Sequence, residues 1–200
     1  MKKVLTALFI GCWVIGVSYA ITMMHSWHYV DLSPSSTEDF KLASILPEVK
    51  DHGVVHFLTP KCSCSKSIFE HLNSRGPLGK TVASEVVILI DDDKEEFLKP
   101  LKKNGFQVYN YSTAQMKDEF STSIKGVPLL VIYNKSKDVR YVGGYSDASI
   151  TPLTQINIKN YLLTLNEGRK IASKPVIGCS VSKEYQAILD PLGLKYKKEN

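Results

Sequence analysis

Two hundred residues, 44% apolar and 22% charged, suit one compact domain with a short appendage and exclude global disorder. The net charge of +5 is carried almost wholly by lysine, and the only arginines are Arg75, Arg140 and Arg169. Guanidinium forks that read bases or phosphates are therefore scarce; the basicity reads as a solvated surface, and no nucleic-acid partner is expected.

The chain opens with Lys2 and Lys3, followed by Val4 to Met24, 21 residues without a charge. A membrane-spanning helix needs roughly 20 apolar residues, and the apolar part of a cleaved signal peptide is shorter, about 7 to 15. Length favours an uncleaved anchor, while Ser18-Tyr19-Ala20 offers a small-x-small cleavage site. Either way the chain is exported. The lysines keep the N-terminus in the cytoplasm and the rest on the periplasmic side, with Trp27 and Tyr29 as an interfacial belt. Phe9-Ile10-Gly11-Cys12 has the outline of a lipidation box. The uncharged run continues through Trp13 to Met24, so Cys12 reads as a thiol inside a membrane helix.

Residues 1–30 are thus an anchor and 31–50 a linker with a short helix, capped by Ser36 or Thr37 and ended by Pro47. Residues 51–173 read as the main domain and 174–200 as a C-terminal extension. Val54 to Leu58 is a short buried strand, Thr59 to Cys64 a turn, and Ser65 to about Asn73 a helix. Val86 to Ile90 is an unbroken apolar run of the kind found in parallel sheets. A helix over Asp93 to Asn104 takes Asp92 or Asp93 as cap, with Pro100 inside it as a possible kink. Phe106 to Tyr111 is a short strand or an irregular segment, Ala114 to Ile124 a helix, and Val127 to Tyr133 a strong strand. Val139 to Val142 pairs back as a hairpin. Ile156 to Ser173 reads as a long amphipathic helix, and a short helix near Tyr185 to Leu189 follows Cys179. Strands separated by helices imply a partly parallel sheet, and the hairpin adds antiparallel strands, so the fold class is α/β with a central mixed sheet.

Over roughly His52 to Ser173 these residues resemble the thioredoxin superfamily. Val55 to Cys62 is similar to the strand that delivers the family's first cysteine to a helix start. Ile124-Lys125-Gly126-Val127-Pro128-Leu129 is similar to the segment whose cis-proline faces the cysteines, and Gly143-Gly144-Tyr145 falls where the family has a glycine after the last hairpin strand. Within the superfamily the chain looks most like membrane-anchored TlpA- and RedB-like thioredoxins. It departs from the C-x-x-C pattern: Ser65 stands where the second cysteine would be, and the pair is Cys62-Ser63-Cys64. Family roles therefore carry over to Cys62 alone, and by the same resemblance Pro128 would shape the substrate groove.

Four cysteines are too few for a disulfide scaffold, and one tight pair among them suggests reactive thiols. The thiolate is the reactive form, with an ordinary pKa of about 8.5. A helix start favours the anion, and Lys61 and Lys66 add positive charge, so a lowered pKa is expected on at least one of Cys62 and Cys64. A disulfide across one residue needs distorted turn geometry, which makes it easier to reduce. Cys179 reads equally as a third redox thiol or as a small buried residue. His56 reads as a core residue, His71 as an outward-facing or capping one, and Asp91-Asp92-Asp93 as a strand end and helix cap.

The expected function is an extracytoplasmic thiol–disulfide oxidoreductase acting on protein thiols and disulfides, with no organic cofactor. One alternative is Cu(I) delivery through Cys62 and Cys64 with a histidine; proteins of the Sco type share the fold but space their cysteines differently. A thiol peroxidase is a further alternative. Thr59 suits the Pro-x-x-x-Thr-x-x-Cys pattern of peroxiredoxin-like proteins, and Val55 stands where its proline would be.

Overall fold

The computed structural model describes residues 2–34, 46–79, 82–120 and 124–196. The side chains at 26–29 and 117–120 lie outside the described residues, as do most of the helix expected before Pro47 and the interfacial belt of Trp27 and Tyr29. The uncharged N-terminal run forms α1 (Lys2–Tyr29). Within Lys2–His25 an 18-residue window reaches mean hydropathy 2.1, and none of that window is buried by the rest of the protein. It is long and apolar enough to cross a membrane, a description that a signal sequence also meets.

The domain then runs β1 (His52–Leu58), α2 (Ser63–Arg75), β2 (Ser84–Ile90), α3 (Leu98–Lys103), β3 (Gln107–Tyr111), α4 (Thr113–Phe120), β4 (Gly126–Val127), β5 (Leu129–Asn134), β6 (Val139–Gly143), α5 (Ile158–Asn166), β7 (Cys179–Ser180) and α6 (Lys183–Leu189). Five strands form one sheet in the order β3-β2-β1-β5-β6. β1, β2 and β3 are parallel, and β5 and β6 are antiparallel additions. The chain is thus α/β with a central mixed sheet flanked by helices, compatible with a thioredoxin-like fold.

The apolar runs are continuous because both faces of the central strands are covered. Val54 and Leu58 of β1, with Val87, Leu89, Leu130 and Ile132, pack beneath α2, α3 and α5. Val55 and Phe57, with Val86, Ile88 and Val131, pack against Met116 of α4, Leu32, Val176 and Val181. All three cysteines of the domain belong to the first of these layers.

Three elements differ from expectation. The helix expected from Asp93 starts at Leu98, because residues 93–97 turn around Asp92. The Asp92 carboxylate is fully buried and accepts from the N–H groups of Glu96, Phe97 and Leu98 at 2.8, 3.0 and 2.9 Å. Pro100 falls in the first turn of α3, where a missing N–H costs no helical bond. Replacing Asp92 with alanine strands these donors and should destabilise the protein by about 1–3 kcal/mol. A thermal melt unchanged from wild type would show that water or a neighbouring side chain satisfies them instead.

The helix expected over Ile156 to Ser173 stops at Asn166. Gly168 takes φ +73°, its N–H bonds to Leu165 O, and the Arg169 N–H bonds to Thr164 O, a Schellman ending that frees the chain to leave the helix. The following segment runs beside β6, held by the Gly144 N–H to Lys174 O bond at 2.9 Å. Finally, the strand expected over 127–133 is broken at Pro128, which has no N–H for a ladder. Val127 therefore pairs with β7 and Leu129 with the main sheet.

Candidate active site

β1 ends at Leu58, and a tight turn, with the Cys62 N–H on Thr59 O at 3.2 Å, delivers the chain to α2. Cys62 is the N-cap residue, extended at φ −124° and ψ 122°, and the Lys66 N–H closes the first helical turn on its carbonyl at 3.0 Å. Cys64 is the second helical residue. Both cysteines are buried, Cys62 at 1% exposure and Cys64 at 8%.

Against the Cys62 sulfur lies the Val127–Pro128 peptide bond, which is cis. The Cys62 Sγ sits 3.7 Å from the Val127 carbonyl oxygen. In the antiparallel pair of β4 with β7, Val127 faces Cys179 and Gly126 faces Ser180. This approach requires Gly178, because a Cβ there would run into the Val127 carbonyl. Cys179, 5% exposed, is thereby paired with the residue whose carbonyl meets the Cys62 sulfur. Register thus sets Cys179, which the sequence left open between a redox thiol and a small buried residue, opposite Val127.

These contacts make one proton easy to lose and the next hard. Donation from Cys179, then from Cys64, holds the Cys62 thiol far below its ordinary pKa against the opposing effect of burial, and the Ser65 N–H and hydroxyl add to this. Cys64 and Cys179 are pushed up because each donates to Cys62, is desolvated, and would place a second charge beside the first. The shifts run apart, Cys62 down and its two neighbours up, so Cys62 is the first of the three to ionise. Ser65 is fully buried, and its hydroxyl has no hydrogen-bond partner while the cysteines are neutral; a Cys62 thiolate supplies one. Lys61 and Lys66, expected to help, are exposed, and Lys61 meets Asp93 at 3.7 Å in solvent. What lowers the pKa of Cys62 is its neighbouring thiols and Ser65 instead.

The flank of the site is built by segments distant in sequence. Tyr196 accepts the Ser180 N–H on its hydroxyl at 3.1 Å. The segment leaving α1 also docks here. Asp31 bridges to Ile177, and the Leu32 N–H bonds to Val176 O at 2.9 Å, two and three residues from Cys179.

A second polar group, on the cysteine side of the sheet, escaped the sequence reading. His56 Nε2 lies 2.7 Å from Glu85, so that nitrogen carries the proton, and Nδ1 lies 2.8 Å from the Tyr145 hydroxyl. Glu85 also accepts from both Arg75 Nη atoms and from the Leu78 N–H at 2.7 Å. Burial opposes its ionisation, but His56 and Arg75 outweigh that and bring its pKa down to about 2. His56 is a core residue, as its strand position suggested; a glutamate beside the apolar run of β2 was the available signal for its partner. His71 is half-buried on α2, and desolvation lowers its pKa. Asp91 and Asp92 are consumed by backbone bonding at the end of β2. Among the described residues no group of three or more His, Cys, Asp or Glu side chains is arranged to hold a metal ion.

Residues 35–180 match the family profile DUF6436, described as a domain of unknown function. No curated protein matches the chain. Among solved structures, a hypothetical protein from Sinorhizobium meliloti 1021 is similar at TM-score 0.57 and 17% identity, over 76% of this chain and 97% of that one. An uncharacterized conserved protein from Geobacillus kaustophilus is similar at TM-score 0.52 and 19% identity, over 78% of this chain and 94% of that one. At such identities the likeness speaks for the fold alone.

Proposed function

The chain belongs to the DUF6436 family, and we propose that it is a thiol–disulfide oxidoreductase whose attacking group is the Cys62 thiolate. The observation that carries this is the buried Cys62 sulfur at the start of α2, 3.7 Å from the carbonyl before Pro128, with Cys64 two residues on and Cys179 paired with Val127. A low-pKa thiolate attacks a disulfide sulfur, and a neighbouring thiol resolves the mixed disulfide. Position at the helix start and the Val127–Pro128 segment also support a kinship with the membrane-anchored TlpA- and RedB-like thioredoxins. With Lys2 and Lys3 on the cytoplasmic side of α1, the domain works outside the cytoplasm on protein thiols and disulfides.

The test is a glutathione redox titration of the full chain in detergent micelles, read by thiol trapping and mass spectrometry. A reversible two-electron couple that requires Cys62 is the expected result. Thiols that remain reduced at every glutathione ratio would overturn the proposal.

A further inference from the structure

We propose that the resolving thiol is Cys179 and not Cys64, so that the working disulfide joins Cys62 to Cys179 and ties the C-terminal segment to the start of α2; this rests on the oxidoreductase reading above.

The two candidate partners of Cys62 differ in what a bond would demand of the backbone. Cys64 lies two residues along the same helix start, in a turn already closed by the Lys66 N–H on the Cys62 carbonyl. Residues two apart on a helix do not face each other, and a disulfide needs a restricted separation and dihedral angle. Bonding Cys62 to Cys64 therefore distorts the cap and the first turn of α2. Cys179 arrives from a separate strand. Its register partner is Val127, whose carbonyl touches the Cys62 sulfur, and Gly178 exists in the only form that allows this approach. A bond between Cys62 and Cys179 leaves the helical turn intact, because the two residues belong to separate elements that meet at Val127.

The electrostatics give the steps an order. Cys62 attacks the substrate RS–SR′, forms Cys62–S–S–R, and releases R′S⁻. Its own negative charge is then gone, so the burden that kept the Cys179 proton in place is lifted. The leaving R′S⁻ takes that proton, and the Cys179 thiolate attacks the Cys62 sulfur and expels RS⁻. The protein dithiol is oxidised to one disulfide and the substrate disulfide is reduced to two thiols. Charge balances, since one thiolate enters and one leaves.

The test uses the full chain in detergent micelles, oxidised with glutathione disulfide, trapped with an alkylating reagent and digested under non-reducing conditions. The expected product is a peptide linking Cys62 to Cys179. On a non-reducing denaturing gel this bond closes most of the domain into a loop and speeds migration, whereas a bond across one residue leaves mobility unchanged. Cys64→Ser should still yield the linked peptide, and Cys179→Ser should accumulate glutathione on Cys62. A Cys62–Cys64 peptide from the wild-type chain, with normal migration, overturns the assignment of Cys179 and leaves the oxidoreductase reading standing. If neither linkage forms and Cys62 takes up no glutathione, both fall together. Mapping on the wild-type chain keeps the outcome independent of how well any variant folds.

Discussion

Cys62→Ser should abolish disulfide exchange, lowering the rate by at least about a thousandfold, because the hydroxyl that replaces the thiol does not ionise at neutral pH. No other thiol can take its place. Burial still raises the pKa of Cys64 and Cys179 when Cys62 is gone, and without a mixed disulfide no leaving thiolate stands beside them to take their proton. A companion measurement is the pH profile of iodoacetamide alkylation. An ordinary thiol gains reactivity about tenfold per pH unit up to its pKa near 8.5. Wild-type Cys62 should instead alkylate at a rate that is flat through neutrality, falling only in acid. Its burial slows the absolute rate without changing the shape of the profile. Exchange activity retained in Cys62→Ser, or a Cys62 profile that climbs between about pH 6 and 8.5 like a free thiol, would remove the thiolate from the centre of the mechanism.

The second large effect is on stability. Glu85→Ala should cost about 3–5 kcal/mol, the usual penalty for removing one member of a buried charged pair. At roughly 2–4 °C per kcal/mol for a chain of this size, the melting temperature should fall by roughly 6 to 20 °C. The carboxylate accepts from His56, Arg75 and the Leu78 N–H, and its side chain is 1% exposed. His56 is wholly buried and would be left facing a void. Arg75 is 22% exposed at its side chain and stacks over Phe106, so it loses less.

The same group sets a pH dependence. Its folded pKa of about 2 lies below the ordinary 4.5, so the carboxylate adds stability that is complete above about pH 4.5. That stability drains away as the pH falls from there towards 2. The gap between wild type and Glu85→Ala should therefore narrow in acid over that window. A gap that is constant from pH 7 to pH 2 would mean that Glu85 acts by filling space and not by its charge.

The sequence by itself determined the elements whose signal is local. The 21 uncharged residues after Lys3 demanded a helix long enough for a bilayer. The apolar runs of β1, β2 and β5, interrupted in β1 by His56, demanded strands covered on both faces, and their spacing with helices demanded a mixed sheet. The turn carrying Cys62 and Cys64 to a helix start was legible for the same reason, since hydrophobic period and turn chemistry act over a few residues.

Only the tertiary structure decided what depends on contacts distant in sequence. The end of α5 was fixed by a glycine with positive φ and a chain that then runs along β6, not by the apolar periodicity that continues to Ile171. The start of α3 was fixed by one buried carboxylate. Glu85 carries no local signal of its role, which arises only when folding sets it against His56 and Arg75. Cys179 shows the limit most clearly: no local pattern ties it to residues more than a hundred positions earlier, and it is the antiparallel register of β7 against Val127 that brings it to Cys62. Strand register is a property of two segments at once, so a thiol delivered by it stays invisible until the sheet is assembled.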